Sequence, residues 1–221
     1  MPVEPPPSRF DLPDPAGAEG DVVAVGGDLT AGTILQAYRK GMFPMHLEDG
    51  HLGWWCPIER AVIPPNRLRV TRSLRQSTRR YRVSVDRDFD GVIEGCADPS
   101  RPGGWITPEI VDAYTELHRL GWTHSIEVWD RDGDLVGGLY GVALGGLFAG
   151  ESMFHTTRDA SKVALVHLVV LMNRAGGGLI DVQWLTPHLE SLGAVVIGKR
   201  AYLEGLPDLL AMRSGFADAV P

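Results

Sequence analysis

Leu147-Phe148-Ala149-Gly150-Glu151-Ser152-Met153-Phe154, followed after a helical stretch by Leu179-Ile180-Asp181-Val182-Gln183, decides how this chain is read. Both pieces read as buried strands, yet each carries a carboxylate or amide that an apolar interior accepts only when paired. Side chains alternate along a strand, so Glu151 is expected on the face of Leu147 and Met153, and Asp181 on the face of Gln183. Two readings compete: a cleft where these groups meet a substrate, and a core where they bond neighbouring backbone. Three such residues on two core strands favour the cleft.

Working outward, Ser125 to Trp129 is expected as a strand, Asp130-Arg131-Asp132-Gly133-Asp134 as a hairpin turn and Leu135 to Ala143 as a glycine-rich strand. Between the two quoted segments, Asp159 or Ser161 caps a helix running to about Arg174, which Gly176-Gly177-Gly178 breaks. Thr186-Pro187 opens a short helix that Gly193 closes, and Ala194 to Ile197 is a last strand. Upstream, Thr107-Pro108-Glu109 starts a helix with the apolar stripe Ile110, Val111, Tyr114 and Leu117, ended by Gly121. The pattern is α+β, with helices packed on a mostly antiparallel sheet. The first twenty residues form a Pro-rich arm, Thr30 caps a helix through Lys40, and Trp54-Trp55-Cys56-Pro57 is irregular. A boundary near Ile63-Pro64-Pro65 divides a small N-terminal domain, 1–62, from a second domain, 63–221.

The 221 residues suffice to bury a full core, and 44% hydrophobic with 22% charged content is ordinary for a globular chain. Cys56 and Cys96 stand alone, which argues against a disulfide framework or a zinc site and for a reducing compartment. The run Val163 to Met172 is too short to span a bilayer, and the N-terminus lacks a signal-peptide pattern, so a cytoplasmic protein away from membranes is expected. Net charge is −7, but Arg60 to Val85 holds eight arginines and no acid, leaving 13 basic against 28 acidic residues elsewhere. Arg72, Arg75 and Arg79 recur at helical spacing beside Arg80. Such a patch either binds a polyanion locally or is a basic face neutralised by the protein's own acids.

The element order resembles the N-acetyltransferase (GNAT-like) fold. The junction where acetyl-CoA users carry a phosphate-cradling glycine loop reads His155-Thr156-Thr157-Arg158-Asp159-Ala160-Ser161-Lys162, without glycine, which points to an acyl donor other than CoA. A closer resemblance covers residues 24 to 205. It runs through Gly26-Gly27-Asp28-Leu29, Gly41-Met42-Phe43-Pro44, Trp54-Trp55, Arg60-Ala61-Val62 and Val92-Ile93-Glu94-Gly95-Cys96-Ala97. It continues in Trp105-Ile106-Thr107, His124-Ser125-Ile126-Glu127-Val128-Trp129, Gly150-Glu151-Ser152-Met153-Phe154, Ala160-Ser161-Lys162, Leu179-Ile180-Asp181-Val182-Gln183 and Arg200-Ala201-Tyr202-Leu203. By these motifs the chain resembles the leucyl/phenylalanyl-tRNA–protein transferases.

The resemblance implies attack by an N-terminal α-amine on the ester carbonyl of an aminoacyl-tRNA charged with Leu or Phe, with Met tolerated. The acceptors are proteins beginning with Arg or Lys, and the product carries a destabilising N-terminus (N-end rule). Ester to amide is downhill, so no ATP is required, and neither a metal nor a cofactor is implied. Asp181 and Gln183 form the implied catalytic pair: the Gln183 amide oxygen holds the amine, and Asp181 polarises or orients that amide. Glu151 meets a substrate cation. Leu139, Phe148, Met153, Leu168 and Ile180 are core residues by composition, several of which the resemblance places around the donor side chain. Trp105, with Trp54 or Trp55, is expected to stack on the terminal adenine; Met45 stands where relatives commonly have an aromatic. Arg72, Arg75, Arg79 and Arg80 would meet the tRNA, and the protein is expected to be monomeric. A CoA-dependent acetyltransferase and a non-catalytic RNA- or amino-acid-binding module are the competing classes; only the leading reading requires Asp181 and Gln183 for transfer.

Overall fold

The structure, a computed structural model, describes residues 2–101, 104–212 and Phe216; the rest of the expected 63–221 domain lies outside the described residues. Strand β1 (Val22–Val25), helix α1 (Ala31–Arg39) and strands β2 (Phe43–His46) and β3 (Leu52–Trp55) come first. The three strands form an antiparallel sheet in the order β1-β3-β2, so the paired tryptophans expected in an irregular segment sit in a strand. Strand β4 (Glu59–Ile63) follows, and the expected boundary after residue 62 falls within it. Then come helix α2 (Arg72–Ser77), strand β5 (Arg82–Val85), and helices α3 (Phe89–Ala97) and α4 (Pro108–Arg119). Strands β6 (Thr123–Trp129), β7 (Leu135–Leu144) and β8 (Leu147–His155) form a meander, followed by helix α5 (Ala160–Arg174) and strand β9 (Leu179–Gln183). Helix α6 (Pro187–Ser191), strand β10 (Val195–Gly198) and helix α7 (Lys199–Ala211) complete the described chain, α7 having no counterpart in the sequence reading.

The larger sheet runs β10-β4-β9-β8-β7-β6-β5, antiparallel except between β8 and β9. The architecture is thus α+β. Local chemistry sets the helix starts: Thr107 accepts from the Ile110 amide with Pro108 in the first turn, and Thr71 caps α2 by accepting from Leu74. Helix α2 ends at Ser77, so Arg79 lies beyond the helix that was expected to carry it. Gly137 lets α5 pack close to the sheet, since a Cβ there would stand 2.6 Å from that of Ala160.

One apolar core joins α1 and the small sheet to the larger one, with Ile34, Leu35, Tyr38, Phe43 and Trp54 packed among Tyr114, Tyr140, Val142 and Ala149. A second core lies under α5, where Val163, Ala164 and Leu168 meet Ile126, Leu139 and Ile180.

Two backbone irregularities overturn the simple alternation expected in the deciding segment. In the β7–β8 ladder Tyr140 pairs with Ser152 but Gly141 with Gly150, leaving Glu151 as the extra residue of a β-bulge. In the β4–β9 ladder Val62 pairs with Asp181 and Ala61 with Gln183, with Val182 bulged between them, and Gln183 has a left-handed backbone at φ 58°. A bulge shifts the strand's facing by one residue, so Met153, expected on the face of Leu147, packs in the α5 core with Phe148, and Gln183 turns from Asp181 toward Glu151. The parallel pairing of β8 with β9 runs from Leu147–Leu179 to Ala149–Asp181; after it β8 follows β7, β9 follows β4, and the two strands part.

Candidate active site

Asp181 is fully buried, and each of its oxygens is occupied. Arg60 from β4 donates Nε to Oδ1 at 2.8 Å and Nη2 to Oδ2 at 2.5 Å. Oδ1 also accepts the Gln183 backbone N–H at 3.0 Å, and Oδ2 the Tyr202 hydroxyl of α7 at 2.9 Å. Arg60 is itself sandwiched, its guanidinium carbon 5.0 Å from the Phe43 ring centre and 4.5 Å from that of Tyr202, with Nη1 on the Gly41 carbonyl at 3.2 Å. Burial disfavours the Arg60 charge, but Asp181 more than offsets this and holds its pKa above the usual arginine value. The expected contact between Asp181 and the Gln183 side-chain amide is not made. Asp181 grips the main chain of Gln183 instead, at the residue whose φ is positive, and so fixes where that side chain emerges.

Glu151 receives the Gln183 amide: Nε2 donates to Oε1 at 3.4 Å, while Oε2 accepts the Tyr114 hydroxyl at 3.2 Å. At 9% exposure, burial pushes the carboxyl up to about 7, the Asp181 charge adds to the rise, and the hydroxyls of Tyr38 and Tyr114 oppose it. A carboxyl held there changes charge near neutrality.

Where β8 and β9 part, a cavity of about 250 Å³ opens. Glu151 and Gln183 line it, and its apolar walls include Leu139, Met153, Leu168 and Ile180, four of the five residues anticipated, together with Leu165, Val182 and Leu189. Phe148 is not in the lining; its buried ring packs on Phe216, centroids 5.2 Å apart.

Of the expected stacking residues, Trp54 is fully buried with Nε1 on the Gly26 carbonyl at 2.8 Å, so its faces belong to the core. Trp105, Met45 and Trp55 are half-buried. Trp55 donates Nε1 to the Met45 carbonyl at 2.8 Å, and its ring meets Trp184 edge-on at 5.7 Å. Arg72, Arg75, Arg79 and Arg80 are all exposed, and none forms an ion pair among the described residues. The patch reading overlooked that Arg60 differs from these four: it opens the apolar run Ala61-Val62-Ile63, which was the signal of a buried, paired arginine. Tyr38 and Trp184 gave no such signal, while Tyr114 stood in the expected apolar stripe and Tyr202 in the Arg200–Leu203 motif without a role.

Comparison with known proteins identifies the family. Residues 62–207 match the family profile described as leucyl/phenylalanyl-tRNA protein transferase, and residues 27–58 that of the same family's N-terminal domain. A leucyl/phenylalanyl-tRNA–protein transferase of Aromatoleum aromaticum is 49% identical over 205 residues, covering 91% of this chain and 84% of the relative. Proteins of the same name from Pseudomonas fluorescens (48% over 205 residues, 91% and 88% covered) and Citrobacter koseri (46% over 207 residues, 91% and 88%) are similarly close. The chain belongs to the leucyl/phenylalanyl-tRNA–protein transferase family.

Proposed function

We propose that this protein moves Leu or Phe, with tolerance for Met, from aminoacyl-tRNA to the N-terminal Arg or Lys of acceptor proteins, marking them for degradation. The observation that carries the reading is the apolar cavity at the parting of β8 and β9 with Glu151 and Gln183 in its wall. A donor Leu or Phe side chain fills the cavity, which brings the ester carbonyl beside the two polar groups. The acceptor α-amine, reference pKa about 7.7–8.0, attacks as its neutral fraction and sheds one proton as the C–N bond forms. The Gln183 carbonyl oxygen accepts one amine hydrogen and Glu151 takes the proton, since every Asp181 oxygen is already occupied. The C–N bond forms, the ester C–O bond breaks, and the proton passes from Glu151 to the leaving ribose oxygen. Asp181 acts as a positioning residue through the Gln183 main chain.

Trp105 and Met45 stack on the terminal adenine in this reading, supported by their half-buried placement, while the exposed arginines of α2 and the turn after it meet tRNA phosphates. A GNAT-like description is supported by the antiparallel β6-β7-β8 meander, the crossover through α5 and the parallel β9. Monomeric action in the cytoplasm fits a soluble tRNA donor; among the described residues no helix is long and apolar enough to cross a membrane.

The test is to incubate the protein with leucyl-tRNA and a peptide beginning with Arg. A product heavier by one leucine residue, formed without ATP and in the presence of EDTA, is expected. Acetylation of the same peptide from acetyl-CoA, or binding of leucyl-tRNA without transfer, would replace this reading with one of the two competing classes.

A further inference from the structure

Behind Glu151 stands a pair of tyrosines to which the reaction above gives no role. Tyr38, on α1 of the N-terminal unit, and Tyr114, on α4, are almost wholly buried, and their hydroxyls lie 2.5 Å apart. The Tyr114 hydroxyl donates to Glu151 Oε2 at 3.2 Å, and Tyr38, whose hydroxyl is in contact with that of Tyr114, also bears on the same carboxylate as a donor. The two hydroxyls thus form one linked pair that supplies hydrogen bonds to the carboxylate, and Tyr38 acts on Glu151 as well as on Tyr114. In such a pair each hydrogen bond polarises the next, and both donors favour the charged form of the acceptor. The rings alone would pack equally well as phenylalanine; buried hydroxyls are an expense unless they bond to something that matters.

We propose that Tyr38 and Tyr114 are positioning residues of the transfer reaction, which orient the Glu151 carboxylate toward Gln183 and stabilise its charged form. Helix α1 thereby becomes part of the active site rather than a neighbouring support. The inference rests on Glu151 as the proton acceptor. Six groups surround that carboxylate: Tyr38 from α1, Tyr114 from α4, Tyr140 from β7, Arg60 from β4, and Asp181 and Gln183 from β9. Of these, Asp181 opposes the charge and Arg60 supports it, but the two neutralise each other as a pair, which leaves the hydroxyls as the adjustable influence. Tyr140 supplies the internal control, because its buried hydroxyl has no partner among the described residues.

The experiment compares wild type with Tyr38→Phe, Tyr114→Phe and Tyr140→Phe by two readouts. Carboxyl-carbon NMR of protein carrying ¹³C-labelled glutamate follows the Glu151 titration, assigned with Glu151→Gln. Single-turnover transfer from leucyl-adenosine to one Arg-initial peptide is measured across pH, so that the acceptor amine titrates identically in all variants. In Tyr38→Phe and Tyr114→Phe the titration should move up by about one pH unit, and the acid limb of the rate should move with it. The rate would fall about tenfold below the limb and converge on wild type above it. Tyr140→Phe should move neither readout. An unmoved Glu151 titration in both variants, or a rate loss equal at every pH, overturns the proposal. A titration that moves while the rate limb stays would sustain the tyrosines' hold on the carboxylate and instead defeat Glu151 as proton acceptor. If Tyr114→Phe melts below assay temperature, Tyr38→Phe decides the matter alone.

Discussion

Asp181 and Arg60 meet as a two-point ion pair with almost no solvent contact, 121 residues apart in sequence and 2.5–2.8 Å apart in space. Because the Tyr202 hydroxyl and the Gln183 main-chain N–H fill the remaining acceptor positions, the pair is a clamp on the turn that presents Gln183. Removing one partner leaves an uncompensated buried charge, which costs about 3–5 kcal/mol. Arg60→Met and Asp181→Asn are therefore each expected to lower thermal stability sharply and to abolish transfer. Gln183→Ala should keep a melting temperature near wild type while losing rate. Melting curves and single-turnover rates on the three variants check this, and a well-folded, slow Asp181→Asn would show that its charge acts on the chemistry itself.

The Glu151 carboxyl links stability to pH. Its folded pKa, about 7, lies above the ordinary value of 4.5, so the native state holds the proton more tightly than the unfolded chain. Its contribution is complete below about pH 4.5 and is lost as pH rises toward 7, the slope of stability against pH being negative across that window. Glu151→Gln removes the titration. The variant should gain on wild type between those pH values, by an amount on the order of 3 kcal/mol at the upper end, and then run parallel. Urea denaturation at pH 4.5, 6 and 8 measures the difference; a gap that does not change with pH would mean that Glu151 titrates normally.

Donor choice is expected to respond to the cavity walls. Leu168 lies on α5 and lines the cavity, so Leu168→Phe narrows a space of about 250 Å³. Hydrophobic pockets discriminate by about 1–3 kcal/mol per methylene-sized change, so the preference for leucyl over phenylalanyl donors should rise by about 10- to 100-fold. Competition between the two charged tRNAs, read as the ratio of peptide products, gives the number directly. An unchanged ratio would place the donor side chain elsewhere.

Replacing Arg72, Arg75, Arg79 and Arg80 by glutamine should weaken aminoacyl-tRNA binding and flatten its salt dependence, by about 0.9 in log–log slope for each phosphate that is no longer neutralised. Activity on leucyl-adenosine, which has no stem, should be close to wild type. Equal damage to activity on both donors would mark the patch as structural.

Strands β6 to β9 and helices α4 and α5 were legible in sequence because their signals are local: alternation, an N-cap threonine with a following proline, a terminating glycine. The facing of Met153 and Gln183 was not, because a bulge is defined by the partner strand's register and leaves no local mark. The same holds for Arg60. Its neighbours in sequence suggested one more member of a basic surface, while its partners come from β9 and α7. Leu139, Met153, Leu168 and Ile180 line the apolar cavity as the resemblance suggested, while Leu165, Val182 and Leu189 were not anticipated and Phe148 packs against Phe216 instead.

The bulge at Glu151 and the left-handed turn at Gln183 are properties of the main chain, whereas the breadth of the cavity is set by side chains from β7, α5, β9 and α6. On the proposed reaction, reactivity and selectivity thus reside in separable layers of the site. Trimming Leu165 or Leu189 would admit bulky non-natural aryl donors while the reacting pair stayed in register. That separation makes the scaffold suited to writing chemical labels onto protein N-termini.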